Sequence, residues 1–476
     1  MTSLQQVRQW LGAPTLIGSA EVKFTRVHTD SRSVEPGDLF VALRGERFDA
    51  SRFLDQAASR GAVAVICQPE GEQRLRSAGL PGVLVTDTRL ALAALARAWR
   101  AQFDLPLIAV TGSNGKTTVT QMIAAILHAF KPQAALATRG NFNNDIGVPL
   151  TLLRLRAEHE IAVLELGMNH PGEIAVLAAL ALPSVALVNN AQREHMEFMA
   201  TVEAVALENA AVISALGASG VAVFPADDAF SATWQQLAGS RSQWRFGLDI
   251  EVASAALPVR AAGDRPEVLC TRANRVGAAW QVSAATPCGD LRYTLHAPGL
   301  HNLRNSLAAA ACALAAGVPL QHVALGLGQF RPVAGRSRST LLQHGGRSIT
   351  LVDDSYNANP DSVQAAIALL AALPAPRLLV LGDMGEVGQE SARYHAEALQ
   401  QATQQDIQKV LVTGSAFTQA ATKVVAVECH ATLQALIDAV LAELPGVASV
   451  LVKGSRFMKM EQVVQALVAQ HGEAAC

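Results

Sequence analysis

The sequence predicts an α/β protein with three domains: a small N-terminal α/β domain, a central parallel-sheet domain with an antiparallel appendage, and a C-terminal doubly wound domain. Three observations lead to this fold class. The chain has 476 residues, and a typical domain holds roughly 150. Short aliphatic runs alternate with helical patterns, as in βαβ units around a parallel sheet. The alternation breaks once, over residues 244–296, and then restarts.

The first domain, residues 1–101, has a mixed pattern of short apolar runs, turn residues and helical stretches. Its predicted strands are Asp38–Leu43, Val63–Cys67 and Val83–Thr86. This spacing is typical of a small α/β domain.

The central domain, residues 102–332, and the C-terminal domain, residues 333–476, each contain a series of aliphatic runs that lead into helical patterns. In the central domain the runs are Leu107–Val110, Ile161–Leu166, Val185–Val188 and Val221–Phe224, and an antiparallel appendage is expected over Trp244–His296. In the C-terminal domain they are Ile349–Val352, Leu378–Leu381, Val410–Val412 and Val450–Val452. Such runs predict parallel strands buried on both faces. In the Rossmann-like C-terminal domain, ligands are expected at the carboxyl ends of the strands.

The composition excludes several classes of protein. Hydrophobic residues make up 50% of the chain, and the 38 basic side chains nearly balance the 40 acidic ones. The chain therefore has no overall charge that would favour nucleic acid or an anionic membrane. The six cysteines are scattered, which predicts reduced thiols rather than disulfides or a zinc site. The N-terminus lacks the apolar core of a signal peptide, and the longest uncharged apolar run, Leu307–Leu320, is too short for a membrane span. We expect a cytoplasmic monomer without membrane insertion.

A phosphate-binding loop follows the first strand of the central domain. Residues 111–118 read TGSNGKTT, the short GxxGKT form of a P-loop, because Val110 stands where the longer Walker spacing has glycine. The two glycines allow backbone N–H groups to surround a phosphate, Lys116 can neutralise its oxygens, and the Thr117 hydroxyl can ligate Mg²⁺. The predicted nucleotide contacts are Gly112, Ser113, Asn114, Gly115, Lys116, Thr117 and Thr118.

Other polar residues follow the strands of the same domain. Glu165 ends a buried strand next to the loop, where a carboxylate is costly unless it meets a cation, and a Mg²⁺ ligand fits that position. The alternative is a strand-end carboxylate that faces water. A polar cluster could bind a sugar or a peptide, although such a loop is as often only a turn, and it contains Thr138, Asn141, Asn143 and Asn144.

The loop resembles that of the Mur ligases, ATP-dependent enzymes that add amino acids to the muramoyl peptide of peptidoglycan precursors, and folylpolyglutamate synthases share it. Further matching segments are GNFNNDIGVP at 140–149, ELGMNHPGE at 165–173, HNLRNS at 301–306, DSYNANP at 354–360 and LGDMGE at 381–386. The last two are similar to the family members that add D-alanyl-D-alanine. The DNPR motif of members that add diaminopimelate or lysine is absent.

The resemblance assigns roles to residues that have plainer interpretations on their own. It implies that Glu165 and His195 bind Mg²⁺ and that Asn305 contacts adenine. Arg336, at a presumed hinge, would reach the γ-phosphate, and Asp354 would bind the ribose. Read alone, His195 suits a surface histidine and Asn305 a helix cap. Arg336 suits an exposed hinge charge and Asp354 a turn former.

The resemblance also implies where the substrates bind. Ser31, Arg32 and Asp49 lie in segments similar to those that hold uridine diphosphate in the family. Lys453 and Arg456 are candidates for contact with the incoming dipeptide, with a solvated strand end as an equal alternative.

The implied reaction uses ATP and Mg²⁺ to phosphorylate the terminal carboxylate of a UDP-muramoyl tripeptide. The amine of D-alanyl-D-alanine then attacks the acyl phosphate, giving the pentapeptide, ADP and phosphate. Closure of the third domain is expected to complete the site. A folylpolyglutamate-type ligase would leave the first domain without a role, and a nucleotide-dependent switch protein would not need the third domain. The third residue of the tripeptide, diaminopimelate or lysine, stays open.

One position departs from the family pattern. Most Mur ligases carry a carbamoylated lysine in the helix after the metal-binding histidine, and Asn209 stands at that position. No lysine occurs between Lys131 and Lys409. We therefore predict that the adjacent Glu208 supplies the negative charge for a second Mg²⁺. The alternative is that Glu208 is a solvated helix residue and that one metal suffices.

Overall fold

The computed structural model describes residues 1–45, 48–249, 265–422, 427–471 and 473–474. It contains three α/β domains in chain order, each built on its own sheet, with a two-stranded ribbon at the N-terminus. The predicted fold class is confirmed. Within those ranges, no helix is long and apolar enough to cross a bilayer.

The N-terminal domain has a five-stranded sheet in the order β2-β7-β6-β5-β4. Its strands β5 and β6 are buried along their whole length, as their continuous aliphatic sequences predict. The elements are β1 (Thr2–Ser3), α1 (Leu4–Trp10), β2 (Thr15–Ile17), β3 (Lys23–Phe24), β4 (Arg26–His28), β5 (Asp38–Val41), α2 (Leu54–Ser59), β6 (Ala64–Cys67), α3 (Glu72–Ser77), β7 (Gly82–Leu84) and α4 (Thr88–Arg100).

The central domain has a nine-stranded sheet in the order β16-β15-β14-β13-β12-β11-β8-β10-β9. Its elements are β8 (Leu107–Thr111), α5 (Lys116–Phe130), β9 (Ala135–Ala137), α6 (Gly147–Leu152), β10 (Ile161–Glu165), α7 (Glu173–Ala181), β11 (Val185–Val188), α8 (Met196–Met199), α9 (Val202–Ser214), β12 (Val221–Pro225), α10 (Ser231–Ala238), β13 (Ser242–Leu248), β14 (Val268–Val276), β15 (Ala279–Thr286), β16 (Gly289–Leu295), α11 (Leu300–Ala315) and α12 (Leu320–Gln329). Because β8 lies between β10 and β11, the loops after these three strands meet at one edge of the sheet.

The predicted start of the antiparallel appendage at Trp244 is wrong. β13 pairs in parallel with β12, and β14 pairs in parallel with β13. The antiparallel part begins where β15 pairs with β14 and continues with β16. The polar positions at the start of β13 are partly exposed, so its mixed pattern reports partial exposure rather than strand direction. The part of this prediction over residues 250–264 lies outside the described residues.

The C-terminal domain has a seven-stranded sheet in the order β21-β20-β19-β22-β18-β17-β23, in which only β17 runs against the other strands, antiparallel to both β18 and β23. The domain contains twelve α-helices and strands in the described residues. They are β17 (Arg338–His344), β18 (Arg347–Asp354), α13 (Pro360–Ala371), β19 (Arg377–Gly382), α14 (Ser391–Gln404), β20 (Lys409–Thr413), α15 (Ser415–Ala421), β21 (Val427–His430), α16 (Leu433–Glu443), β22 (Ser449–Lys453), α17 (Glu461–His471) and β23 (Glu473–Ala474). A capping box between Asn359 and Ser362, with Pro360 in the first turn, begins α13.

The hydrophobic cores do not coincide one to one with the three domains. One core continues from the N-terminal sheet through α4 into one face of the central sheet. A second core lies on the other face of the central sheet. The C-terminal domain has separate cores on the two faces of its own sheet. The first two domains therefore pack as one apolar unit, and the third packs independently.

Candidate active site

A cavity of about 1060 Å³ lies where the carboxyl ends of β8, β10 and β11 face the C-terminal domain. It collects most of the site residues predicted from the sequence, although they come from distant segments. Those that line it are Ser113, Asn114, Gly115, Lys116, Thr117, Thr118, Asn141, Asn143, Asn144, Glu165, His195, Asn305, Arg336, Asp354 and Lys453.

The phosphate loop has the backbone shape that its glycines predict. Gly112 and Gly115 have φ values of 128° and 84°, which side chains with a Cβ rarely adopt. A Cβ at Gly115 would also lie 2.5 Å from Oδ1 of Asn305. Since α5 begins at Lys116, the N–H groups and positive dipole end of this helix face the cavity, as an anion site requires. The amide of Asn305 accepts a hydrogen bond from Asn189 at 3.0 Å, so it braces the loop.

Lys116 is folded back over its own loop. Its ammonium donates to the carbonyls of Gly112 at 2.6 Å and Ser113 at 3.0 Å, and to Oε1 of Glu194 at 2.8 Å. All three donors of the ammonium are thereby used. An incoming phosphate would exchange with one of these partners, and only Glu194 carries a charge.

Glu165 has an unusual environment for a carboxylate. It is 2% exposed. Its Oε1 accepts hydrogen bonds from Asn143 at 2.7 Å and Thr117 at 3.2 Å, and its buried Oε2 has no hydrogen-bond partner. A buried, half-satisfied carboxylate is costly, and a cation resolves that cost. A hydroxyl and a carboxylate oxygen are ligands that Mg²⁺ prefers, so these residues fit the metal that the sequence predicts.

His195 crosses from the central domain to the C-terminal domain. Its Nδ1 lies 2.5 Å from Oε2 of Glu386, and its Nε2 lies 3.6 Å from Oε1 of Glu194. The hydrogen bond from His195 holds the pKa of Glu386 below its usual value. The contact fixes the ring with Nε2 toward the carboxylate that holds Lys116.

Arg336 extends from the C-terminal domain to the phosphate loop. Its Nη2 donates to Oγ1 of Thr117 at 3.3 Å. Its guanidinium stacks on the ring of Tyr356, 4.1 Å from the ring centroid, which is the distance of a cation–π contact. Tyr356 was not selected from the sequence, and it positions Arg336 over the loop.

Asp354 and Lys453 form a buried ion pair at the ends of β18 and β22. Nζ of Lys453 lies 2.6 Å from Oδ2 of Asp354 and donates to the carbonyl of Asn357 at 2.9 Å. Burial alone would raise the pKa of Asp354, but Lys453 reverses this and lowers it. Oδ1 of Asp354 accepts from the backbone and hydroxyl of Ser337. Lys453 is therefore a partner of Asp354, and the ammonium is already paired.

The structure does not support the predicted metal role of Glu208. Its two oxygens accept hydrogen bonds from the backbone N–H groups of Gly172 at 2.8 Å and Ile174 at 2.9 Å. They cap the first turn of α7, where a carboxylate is favourable. The adjacent Asn209 is 1% exposed, and its Oδ1 accepts from the N–H of Gly112 at 2.7 Å. The one-residue offset along α9 thus directs the two side chains to different partners.

Several other predicted residues lie outside the cavity lining, namely Gly112, Ser31, Arg32, Asp49, Thr138 and Arg456. Gly112 takes part through its backbone, and buried Thr138 accepts from the N–H of Glu165. Arg456 is 5.5 Å from the ring centroid of Tyr356 and pairs with Glu461.

The predicted uridine-diphosphate residues are engaged locally. Arg32 pairs with Asp30 at 2.8 Å, and this hydrogen bond lowers the pKa of Asp30 to about 2. Ser31 donates to Gln56 at 2.7 Å, and Asp49 caps the short helical turn that follows it. Their role in substrate binding stays a prediction.

Sequence reasoning missed two charged residues beside His195. Glu194 holds Lys116, and Arg193 pairs with Asp361 at 2.8 Å and Glu397 at 2.9 Å across the domain boundary. Both stand directly before the predicted histidine, but each needs a partner far away in sequence. Only the position next to His195 could have drawn attention to them.

Comparison with known proteins places the whole chain in one family. Three family descriptions match successive parts: "Mur ligase family, catalytic domain" over residues 23–100, "Mur ligase middle domain" over 110–313, and "Mur ligase, glutamate ligase domain" over 337–456. The chain is 40% identical over 451 residues to the UDP-N-acetylmuramoyl-tripeptide--D-alanyl-D-alanine ligase of Escherichia coli, with 94% of each chain covered. It is 36% identical over 480 residues to the ligase of the same name from Haemophilus influenzae, with 98% of each covered.

Solved structures show the same similarity. A crystal structure of MurF from Acinetobacter baumannii superposes with a TM-score of 0.85 at 32% identity, covering 98% of both chains. The MurF ligase of Thermotoga maritima in complex with ADP superposes with a TM-score of 0.78, covering 94% of this chain and 98% of that one. At 24% identity the second likeness concerns the fold alone.

Proposed function

This chain belongs to the Mur ligase family, and from that premise we propose that it is an ATP-dependent ligase. It joins D-alanyl-D-alanine to the terminal carboxylate of a UDP-N-acetylmuramoyl tripeptide, as the names of its relatives state for those proteins. The products are the pentapeptide precursor of peptidoglycan, ADP and phosphate. A folylpolyglutamate-type ligase would leave the N-terminal domain without a role, and a switch protein would not need the C-terminal domain.

The observation that carries the proposal is the meeting of two charged groups from different domains at one loop. Lys116 belongs to the loop, and Arg336 from the C-terminal domain lies 3.3 Å from Thr117. Cations on two sides of a phosphate site suit phosphoryl transfer, in which the enzyme positions the group and stabilises spreading charge.

We assign the steps to the residues as follows. The N–H groups of the loop and Lys116 bind the phosphates, and Arg336 adds charge once the C-terminal domain is in place. Thr117, Glu165 and His195 are the residues that would hold Mg²⁺, which supplies positive charge to the phosphate oxygens when bound. Oxygen of the tripeptide carboxylate bonds to the γ-phosphorus as the bond to ADP breaks. The dipeptide amine then attacks the acyl carbon, phosphate leaves, and the amine gives up a proton.

The remaining contacts complete the proposal. We assign ribose binding to Asp354 and the adenine contact to Asn305, as the family resemblance implies, and both line the cavity. We assign tripeptide binding to Asn141, Asn143 and Asn144, which line the cavity, and uridine diphosphate binding to the N-terminal domain. The domains are divided near residues 101 and 332, and the enzyme acts as a cytoplasmic monomer on soluble substrates.

A phosphate-release assay tests the function. The purified chain is given ATP, Mg²⁺ and the UDP-muramoyl tripeptide, with or without D-alanyl-D-alanine. We expect sustained phosphate release only when both substrates are present, with one phosphate per pentapeptide found by mass spectrometry. Release that needs neither substrate, with no new peptide, would contradict the proposal and favour a nucleotide switch.

A further inference from the structure

Three carboxylates that line the cavity, Glu165, Glu194 and Asp227, each have a buried oxygen without a hydrogen-bond partner. Asp227 is already paired with Arg304 through its other oxygen, which leaves Glu165 and Glu194. Glu165 and Glu194 are 2% and 9% exposed, and in each the buried Oε2 has no hydrogen-bond partner. A buried carboxylate oxygen without a donor loses its hydration and gains nothing in return. Glu165 is one of the predicted metal ligands, whereas Glu194 has no assigned role.

The charges that line the cavity show why Glu194 needs a further cation. Arg304 pairs with Asp227 and Lys453 pairs with Asp354, so these basic groups are already neutralised. Lys116 and Arg336 remain, and Glu165 and Glu194 are only two of the acidic side chains in the lining, which also include Asp145, Glu173, Asp228 and Asp361. A triphosphate adds several negative charges. When Lys116 turns to it, Glu194 faces like charge, which is unfavourable.

The position that carries a carbamate in most Mur ligases cannot supply charge here. Asn209 is neutral, and its amide is committed to Gly112 and to the carbonyl of Val205. Glu208 caps α7. Glu194 is thus the acidic side chain beside Lys116 that retains a free, buried oxygen.

We propose that Glu194 is a carboxylate ligand of a divalent cation that binds together with the triphosphate at this loop. This rests on the proposed function only in that a metal and a triphosphate occupy the cavity. Within the described residues, no three His, Cys, Asp or Glu side chains form a ready metal cluster. A cation at Glu194 would therefore take most of its ligands from phosphate oxygens and water, as Mg²⁺ commonly does.

The test measures metal binding rather than ligation. Mn²⁺ replaces Mg²⁺ and is titrated by electron paramagnetic resonance into the protein saturated with a non-hydrolysable ATP analogue. We expect Glu194→Gln to weaken Mn²⁺ binding by about tenfold or more, the usual scale for perturbed metal sites. Glu194→Asp keeps the charge on a shorter side chain and is expected to fall between the two. The control Glu203→Gln makes the same charge change at an exposed position of α9 and is expected to bind as the wild type does.

A second measurement separates metal binding from simple retention of Lys116. Affinity for the analogue is measured by calorimetry with excess chelator. If Glu194 only holds Lys116, Glu194→Gln binds nucleotide more tightly without metal, while its Mn²⁺ affinity stays within about twofold of wild type. That result would overturn the proposal. If Glu194→Gln does not fold, Glu194→Asp takes its place, and equal Mn²⁺ affinity in Glu194→Asp and wild type would overturn the proposal. No peptide substrate is present, so failure of the ligase proposal would leave this result standing.

Discussion

The central domain meets its N-terminal and C-terminal neighbours through contacts of different chemistry. On the N-terminal side, α4 packs against α6 and α7 inside one continuous core. Leu92 and Leu95 are fully buried there. Arg100 donates to the carbonyls of Ala181 and Leu182 at the end of α7.

On the C-terminal side the contacts are polar. Arg193 pairs with Asp361, His195 with Glu386, and Asn114 with Asn359 across the boundary. Among the described residues, the apolar clusters of the C-terminal domain include no central-domain side chain, and the contact that reaches one of them is the Arg193 guanidinium, 5.0 Å from the ring of Tyr394.

The difference indicates which domain moves. Separating the N-terminal joint would expose buried aliphatic surface, at about 25 cal/mol for each Å². Ion pairs and amides at the C-terminal joint can exchange partners with water at small net cost. We therefore expect the first joint to stay fixed and the second to open and close over the site.

The largest expected effect lies at the site between the two joints. Lys116→Ala removes the loop's cation, and we expect a loss of about 100- to 1000-fold in kcat, the range seen for transition-state contacts. Circular dichroism should show an unchanged fold. Lys131→Ala, at the other end of α5, serves as the control and should keep full activity. More than about a tenth of wild-type turnover in Lys116→Ala would exclude the phosphate-loop assignment.

The second prediction concerns the apolar joint. Leu95→Ala leaves a cavity in the shared core, and we expect about 3 kcal/mol less free energy of unfolding in urea. Leu90 lies on the same helix but is 70% exposed, so Leu90→Ala should change the value by no more than about 0.5 kcal/mol. Similar losses in both variants would mean that α4 is not part of a fixed joint.

The third prediction concerns the polar joint. Arg193→Ala removes the cation that pairs with Asp361 and Glu397. We expect the free energy of domain closure to become less favourable by about 2 kcal/mol. In small-angle scattering, wild type should become more compact with ATP analogue and UDP-muramoyl tripeptide, and the variant should do so less. Arg393 also pairs with Glu397, but within α14, so Arg393→Ala is the control. An unchanged radius of gyration in wild type would rule out closure at this joint.

The sequence was most informative where burial and chemistry constrain it together. Val185–Val188 is predicted and observed with the same bounds, because a strand buried on both faces leaves a continuous aliphatic run. The phosphate loop was recognisable because its shape depends on residues that are close in sequence. Gly112 and Gly115 adopt positive φ values, and Lys116 begins the helix that follows.

Contacts between distant segments could not be predicted in the same way. Glu194 and Arg193 depend on partners that only the fold brings near. Glu208 was predicted as a metal ligand because it lies beside Asn209 in sequence. Its side chain instead points to the start of α7, where it accepts hydrogen bonds from backbone N–H groups. In the N-terminal domain, Arg32 hydrogen-bonds to Asp30 within its own exposed loop. No buried, unpaired polar side chain among the described residues of that loop points to a ligand, so its candidate role comes from the family resemblance alone.

The smallest expected effect is the response to bicarbonate. Asn209 accepts a hydrogen bond from the N–H of Gly112 in the phosphate loop. Because an asparagine cannot be carbamoylated, this contact does not need carbon dioxide. We expect the same rate in bicarbonate-free and bicarbonate-supplemented buffer at constant pH and ionic strength. A clear stimulation would show that a lysine elsewhere in the chain is carbamoylated at the site.

The central claim, that ATP activates the tripeptide carboxylate, is tested most directly by isotope transfer. The terminal carboxylate of the UDP-muramoyl tripeptide is labelled with oxygen-18 in both positions and converted with ATP and D-alanyl-D-alanine. The mass of the released phosphate is then measured. Our account predicts that each phosphate carries one labelled oxygen, because the acyl–oxygen bond breaks when the amine attacks. Unlabelled phosphate alongside pentapeptide formation would contradict it.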